Sequence, residues 1–145
     1  MTKQRVKLLT VIARIVLGLV FVYAAWTKLR QPWFLFAMSV ESYQLLSDQG
    51  VLIAARVVPW TELVLGILLL AGVWLPVVAP LAAGMLLIFF AAMIRAYIKG
   101  LGIDCGCFGV GETLGAVTLA RDAALLSLSF ALAWLITRER QRLSS

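Results

Sequence analysis

The sequence predicts an all-α fold: a bundle of four transmembrane helices with a short interfacial helix between the first and the second. Three observations predict it. The chain of 145 residues is 63% hydrophobic and 14% charged, where a soluble domain is nearer half apolar and a quarter charged. Its mean hydropathy is +1.00. Four apolar runs, at about 8–28, 57–75, 77–98 and 114–136, are each long enough at ~1.5 Å per residue to cross ~30 Å of hydrocarbon. In lipid they must be helices, because a lone strand leaves its backbone unpaired. No repeat or low-complexity segment divides the chain, so residues 1–145 read as a single membrane domain.

The first run follows Lys3, Arg5 and Lys7, and Arg14 alone interrupts it before Lys28. It is longer than the apolar region of a signal peptide and has no clear small-residue cleavage site, so an uncleaved signal anchor is expected. Arg14 is expected to snorkel towards the near interface. The stretch Pro32 to Leu46 is too short and polar to span, but Trp33, Phe34, Phe36, Ala37, Val40 and Tyr43 could line one side of an interfacial helix. The second run contains Glu62, and only Gly72-Val73-Trp74-Leu75-Pro76 separates it from the third. Pro76 suits a first helical turn, where its missing N–H costs little. The third run carries Arg95 near its end, and the fourth carries Arg121 and Asp122 near its start. Trp26, Trp33, Trp60 and Trp74 fall at span ends as an aromatic belt.

Net charge is +6. In a membrane chain this points to anionic lipid as the partner of the basic residues and not to nucleic acid. Four spans put both termini on one side. Lys3, Arg5 and Lys7 in one tail, and Arg138, Arg140 and Arg142 in the other, place that side in the cytoplasm. The cysteine-bearing loop then lies outside, which in a bacterial inner membrane is the periplasm, where disulfides form. Histidine is absent, which excludes haem–His ligation, His-based zinc sites and His general bases.

The two cysteines of the chain stand together in Ile103-Asp104-Cys105-Gly106-Cys107-Phe108-Gly109, read as a short loop between the third and fourth spans. Residues two apart in a bent chain can close a disulfide, and the glycine permits the bend. Such a ring gains little from loop closure and should exchange readily. Three readings stand: a redox-active pair, a soft-metal chelate such as Cu(I), and a structural bridge. The chelate reading has no Met or His cluster beside the thiols to support it, although Met85 and Met93 share one helix. Lys28, Glu62, Arg95, Arg121 and Asp122 all fall near the outer ends of their spans. Each costs ~2.5–3.5 kcal/mol at membrane depth, so they are expected to face inwards and pair. Beside Cys105 and Cys107 they would stabilise a thiolate and handle its proton; apart from the cysteines they would only lock the bundle.

The pattern resembles the MauE/DoxX family of redox-associated membrane proteins over most of the chain. The resemblance rests on Arg14, Leu17-Gly18-Leu19-Val20-Phe21, Ala24 and Lys28-Leu29 in the first span. It continues with Glu62-Leu63-Val64-Leu65-Gly66 and Leu68-Leu69-Leu70-Ala71-Gly72 in the second. Gly100, then Asp104-Cys105-Gly106-Cys107-Phe108-Gly109, then Ala120-Arg121-Asp122 complete it. The cysteine loop, with Glu upstream and Arg-Asp downstream, is its specific part. The resemblance implies a four-helix fold, a bacterial inner-membrane location and a link to extracytoplasmic thiol–disulfide traffic. In MauE that traffic is associated with a thioredoxin-like partner and the disulfide-rich small subunit of methylamine dehydrogenase. DoxX relatives without the dithiol imply instead an accessory subunit of a quinol oxidase complex. The general design is similar to the quinone-linked DsbB and vitamin K epoxide reductase enzymes, which use more than one cysteine pair.

The expected function is therefore a membrane thiol–disulfide oxidoreductase in which Cys105 and Cys107 exchange with an extracytoplasmic thioredoxin-like protein. No cofactor is required by the residues, and a quinone is a candidate electron acceptor. The alternatives are a non-enzymatic accessory or assembly subunit and a soft-metal-binding protein. Which cysteine attacks stays open at this stage, and nothing in the residues fixes an oligomeric state.

Overall fold

The computed structural model describes residues 2–145. Its elements are α1 (Lys3–Arg30), α2 (Trp33–Ser42), α3 (Asp48–Ala71), α4 (Leu75–Ile98), β1 (Asp104–Gly106), β2 (Gly109–Thr113) and α5 (Ala116–Ser144). The helices α1, α3, α4 and α5 are long and apolar enough to cross a membrane, and the short α2 lies between the first two, as the sequence predicts. Large side chains such as Leu19, Ile53, Val64, Leu81 and Ile88 are exposed along these helices, the surface of a multi-pass protein that meets lipid.

Local chemistry sets the helix ends. α1 closes on Lys28 and Arg30, which complement its dipole, and Gln31 is extended ahead of Pro32, where the helical conformation is disfavoured. The second membrane helix starts at Asp48, well before the apolar run at Val57, because the Ser47 hydroxyl caps it by accepting from the Gly50 N–H. It stops at Ala71, short of Leu75, because Gly72 turns left-handed and donates its N–H to the Leu68 carbonyl. Pro76 does lie in the first turn of α4. The last helix starts at Ala116 and runs past Ile136 to Ser144, carrying Arg138, Arg140 and Arg142 with it.

α1 packs antiparallel on α3 at a crossing made by two glycines. A Cβ on Gly66 would stand 2.9 Å from the Val22 backbone nitrogen and 3.0 Å from the Gly18 carbonyl. α4 packs chiefly on α5. Leu17, Leu69, Val78, Ala82 and Leu132 meet in the shared core. Arg14 anchors at the end that holds the termini, with its guanidinium against Gly72 in the α3–α4 turn.

One expectation is corrected. The cysteine segment is a two-stranded antiparallel hairpin and not a plain loop. Asp104 pairs with Thr113 and Gly106 with Gly109, with an irregular register between. Left-handed Gly102, Gly106 and Gly111 allow the chain to fold back, and the Leu114 N–H donates to the Ile103 carbonyl to close the base. Hairpin and α2 together roof the end of the bundle opposite the termini.

Candidate redox site

Three helices carry an ionisable group on the stripe that they bury. On α1 the buried series Leu17, Phe21 and Ala24 continues to Lys28. On α3 Ala55 and Pro59 lead to Glu62. On α5 Ile136, Leu132 and Ser129 lead back to Asp122. The helical period that builds the core thus aims these three charges inwards at one height.

There they meet the hairpin, where Cys105 and Cys107 form a disulfide with their Cα atoms 5.4 Å apart. Cys105 is 4% exposed, and Cys107 is half-buried. Between them Gly106 has φ +70°, and a Cβ there would come 3.1 Å from the Ser39 Cβ of α2. Both cysteine carbonyls are held from outside the hairpin. The Tyr43 hydroxyl donates to the Cys105 carbonyl at 2.7 Å, and the Lys28 ammonium donates to the Cys107 carbonyl at 2.6 Å. The same ammonium donates to both Glu62 carboxylate oxygens, at 3.0 and 2.9 Å. Its three N–H groups are then satisfied in a pair whose side chains are 2% and 5% exposed.

The sulfur atoms have charged neighbours on their other side. Asp122 Oδ2 lies 3.7 Å from Cys107 Sγ. Arg121 Nη2 lies 4.0 Å from Cys105 Sγ and donates to Asp122 Oδ2 at 3.2 Å. Its guanidinium also pairs with Glu112 of β2 and stacks over the Phe108 ring, 4.4 Å from the centroid. Tyr43 sits under the hairpin; desolvation first, and the Asp122 carboxylate second, push its phenol up to about 12.

Of the residues singled out in the sequence, Cys105, Cys107, Lys28, Glu62, Arg121 and Asp122 converge. Arg95 does not join them. Its guanidinium donates to the Tyr43 backbone carbonyl at 3.1 Å, so it caps the end of α2 and positions the roof. Met93 takes the inward place instead, with Sδ 3.7 Å from Cys107 Sγ and 4.0 Å from Cys105 Sγ. One methionine of the pair noted in the sequence, Met93, therefore stands beside the cysteines. Ligand atoms of Cys105, Cys107 and Asp122 lie within 4.8 Å of one another, and after reduction the two thiolates and Met93 would offer soft donors beside the hard Asp122 carboxylate. The sequence carries no signal that marks Glu112, and it marks Phe108 only as part of the cysteine motif and Tyr43 only as part of an apolar face. A cavity of about 40 Å³ lies among residues including Glu62, Met93, Cys107 and Asp122.

The family model for methylamine utilisation protein MauE matches residues 6–135. A methylamine utilization protein MauE of Paracoccus denitrificans is 32% identical over 123 residues, covering 83% of this chain and 66% of that protein. A second, from Methylorubrum extorquens, is 33% identical over 134 residues, covering 88% of this chain and 69% of the relative. The chain thus spans about two thirds of the length of these relatives. The DoxX half of the expected resemblance finds no support in these matches. No solved structure matches the chain.

Proposed function

Because the chain belongs to the MauE family of methylamine utilisation proteins, we propose that it is a membrane thiol–disulfide redox protein serving the maturation of disulfide-containing proteins in that metabolism. The observation that carries this reading is the Cys105–Cys107 disulfide at the end of the bundle, with a guanidinium beside one sulfur and a carboxylate beside the other. A bridge between residues two apart staples no separate parts of the chain, so its use is in exchange.

The partner is an extracytoplasmic thioredoxin-like protein. In the oxidising direction a partner thiolate attacks Cys107 Sγ, the less buried sulfur. The S–S bond breaks, and Cys105 leaves as a thiolate beside the Arg121 guanidinium, a neighbour that favours the charged form. A second partner thiolate then attacks the partner's own sulfur in the mixed disulfide and expels Cys107. The partner leaves with a disulfide, and this chain keeps two electrons as a dithiol. The two protons lost by the partner thiols end on Cys105 and Cys107. Asp122 is placed to pass one to Cys107, and the cavity at Glu62 has room for a relaying water. We place the chain in the bacterial inner membrane, with termini in the cytoplasm and the hairpin in the periplasm, from the basic residues of both tails.

The test is a trap in a methylamine-grown host. Cys105→Ser leaves Cys107 as a lone thiolate that attacks the disulfide of the oxidised partner, and with no Cys105 to expel the partner the mixed disulfide through Cys107 should accumulate; Cys107→Ser should accumulate none. A membrane-impermeant maleimide should label the reduced pair in intact spheroplasts. If neither variant forms an adduct and growth on methylamine survives loss of both cysteines, the chain is an assembly subunit that works without its thiols.

A further inference from the structure

We infer that the apolar cavity behind the disulfide is a binding site for the headgroup of a membrane quinone, which reoxidises the Cys105–Cys107 dithiol. This rests on the exchange function proposed above and names what takes the electrons. The cavity, of about 200 Å³, is enclosed by α2, α3, α4 and the hairpin. Val40, Ala54, Val58, Phe89 and Ala92 make its walls almost wholly apolar, and Met93, Cys105 and Cys107 close its inner end. Its lining includes Leu45, Leu46 and Ile88, all three exposed on the apolar surface of the molecule. An occupant therefore comes from the hydrocarbon layer and not from water.

Three further observations select the class of occupant. First, the chain has two cysteines in all, so once the pair has accepted two electrons no second pair in the chain can relay them. An acceptor must reach the sulfurs themselves. Second, both cysteines and Met93 line this cavity, so an acceptor seated in it stands beside the pair in an apolar setting entered from lipid. A lipid-soluble two-electron carrier meets all of these conditions, and an acyl chain meets only the last. Third, the volume is below the roughly 300–1,000 Å³ of a site for a drug-sized ligand. It suits one substituted ring, with an isoprenoid tail lying out past Leu46 and Ile88. The reaction balances without another reactant. The dithiol loses two electrons and two protons, and the Cys105–Cys107 bond forms. The quinone gains both electrons and both protons and leaves as the quinol. Tyr43 and Lys28 also line the cavity, but their donors hold the cysteine carbonyls, so they fix the hairpin backbone beside the ring.

The experiment uses the full chain in quinone-free nanodiscs, reduced and freed of reductant without oxygen, then mixed with decyl-ubiquinone or menadione. One quinol should form per two thiols lost, at a rate that saturates with quinone. Ala92→Trp, which fills the cavity, should raise the half-saturating concentration about tenfold, equivalent to ~1.4 kcal/mol. Variants are compared only when purified with the Cys105–Cys107 disulfide intact; Ala92→Leu should give a smaller shift in the same direction should the tryptophan variant not fold. A rate that rises linearly with quinone and is equal in wild type and variants would mean collision without a site, with acyl chains as the occupant, and would overturn the inference. Oxidised glutathione separates this from a failure of the exchange function. If it reoxidises the wild-type pair and quinone does not, only the quinone site is lost. If neither does, the exchange function falls as well, and the inference falls with it.

Discussion

Lys28 on the first helix donates a 2.6 Å hydrogen bond to the backbone carbonyl of Cys107, 79 positions along the chain. Its other two donors go to Glu62. A single ammonium thus ties α1, α3 and the hairpin together and fixes the height of the disulfide above the core. Tyr43 does the same for Cys105 from the end of α2. The disulfide is clamped through its two carbonyls, which leaves both sulfurs free of that constraint and turned towards Met93, Arg121 and Asp122.

This clamp makes the Lys28–Glu62 pair sensitive to loss of one partner and tolerant of loss of both. Lys28→Met strands a buried carboxylate, and Glu62→Leu strands a buried ammonium; each should cost ~3–5 kcal/mol. The double variant should recover much of that loss in thermal unfolding in detergent. It should still alter the reactivity of the cysteines, because the Cys107 carbonyl has lost its donor. Additive losses in the double variant would mean that the pair is not coupled.

The glycine crossing below the pair sets the distance between α1 and α3. Gly66→Ala should be the more damaging change, since its new Cβ meets the backbone at Val22 and Gly18. At Gly18 the new Cβ meets the Leu70 side chain at 2.7 Å, which can move in part, and the backbone only at the Gly66 carbonyl, 3.1 Å away. We expect Gly66→Ala to cost ~1–3 kcal/mol and to weaken the Lys28–Glu62 contact above it, with Gly18→Ala nearer neutral. Comparable unfolding temperatures for the two variants would contradict this reading of the interface.

The sequence made the spans and the inward charges legible for one reason: burial is costly for an ion and favourable for a leucine, so both leave a helical period. Height along the bundle was readable from the same runs. Direction around a helix was harder, and α4 shows why. Met93 and Arg95 are two residues apart, so at about 100° per residue they point ~200° from each other. Only one of them can face the disulfide. Charge suggested Arg95, but Met93, at 1% exposure, is the one inside. The hairpin is not legible in the sequence because β1 has three residues, too few for an alternating pattern, and its turns rest on glycines that also suit a loop.

Arg121 and Asp122 should act on the reduced cysteines with opposite sign. A cation near a thiol favours the thiolate, and a carboxylate disfavours it. In the reduced protein Arg121→Gln should slow alkylation of Cys105 by ~3-fold or more, and Asp122→Asn should speed that of Cys107 by a similar factor. Arg121→Lys should fall between wild type and Arg121→Gln, because it keeps the charge and loses the planar fork. Site-resolved iodoacetamide rates at one pH measure all of these. Rates unchanged in both variants would leave Arg121 and Asp122 as structural partners of Glu112 and of each other.

Tyr43 supplies a prediction in alkali. Its phenol is neutral when protonated and donates to the Cys105 carbonyl, and its folded-state pKa is raised to about 12, against ~10 for an unperturbed tyrosine. A raised folded-state pKa gives stability that is fully present below the unfolded value and is lost as pH rises through the folded one. The hydrogen bond should therefore hold the hairpin unchanged from about pH 6 to about pH 9, where Tyr43→Phe should cost a constant ~1 kcal/mol. Above ~10 the gap between wild type and variant should narrow, as ionisation pulls on the unfolded chain first. The phenolate absorbance present in wild type and missing from Tyr43→Phe should appear near 12. If it appears near ~10 instead, the phenol is open to water and the roof over Cys105 is not closed at this residue.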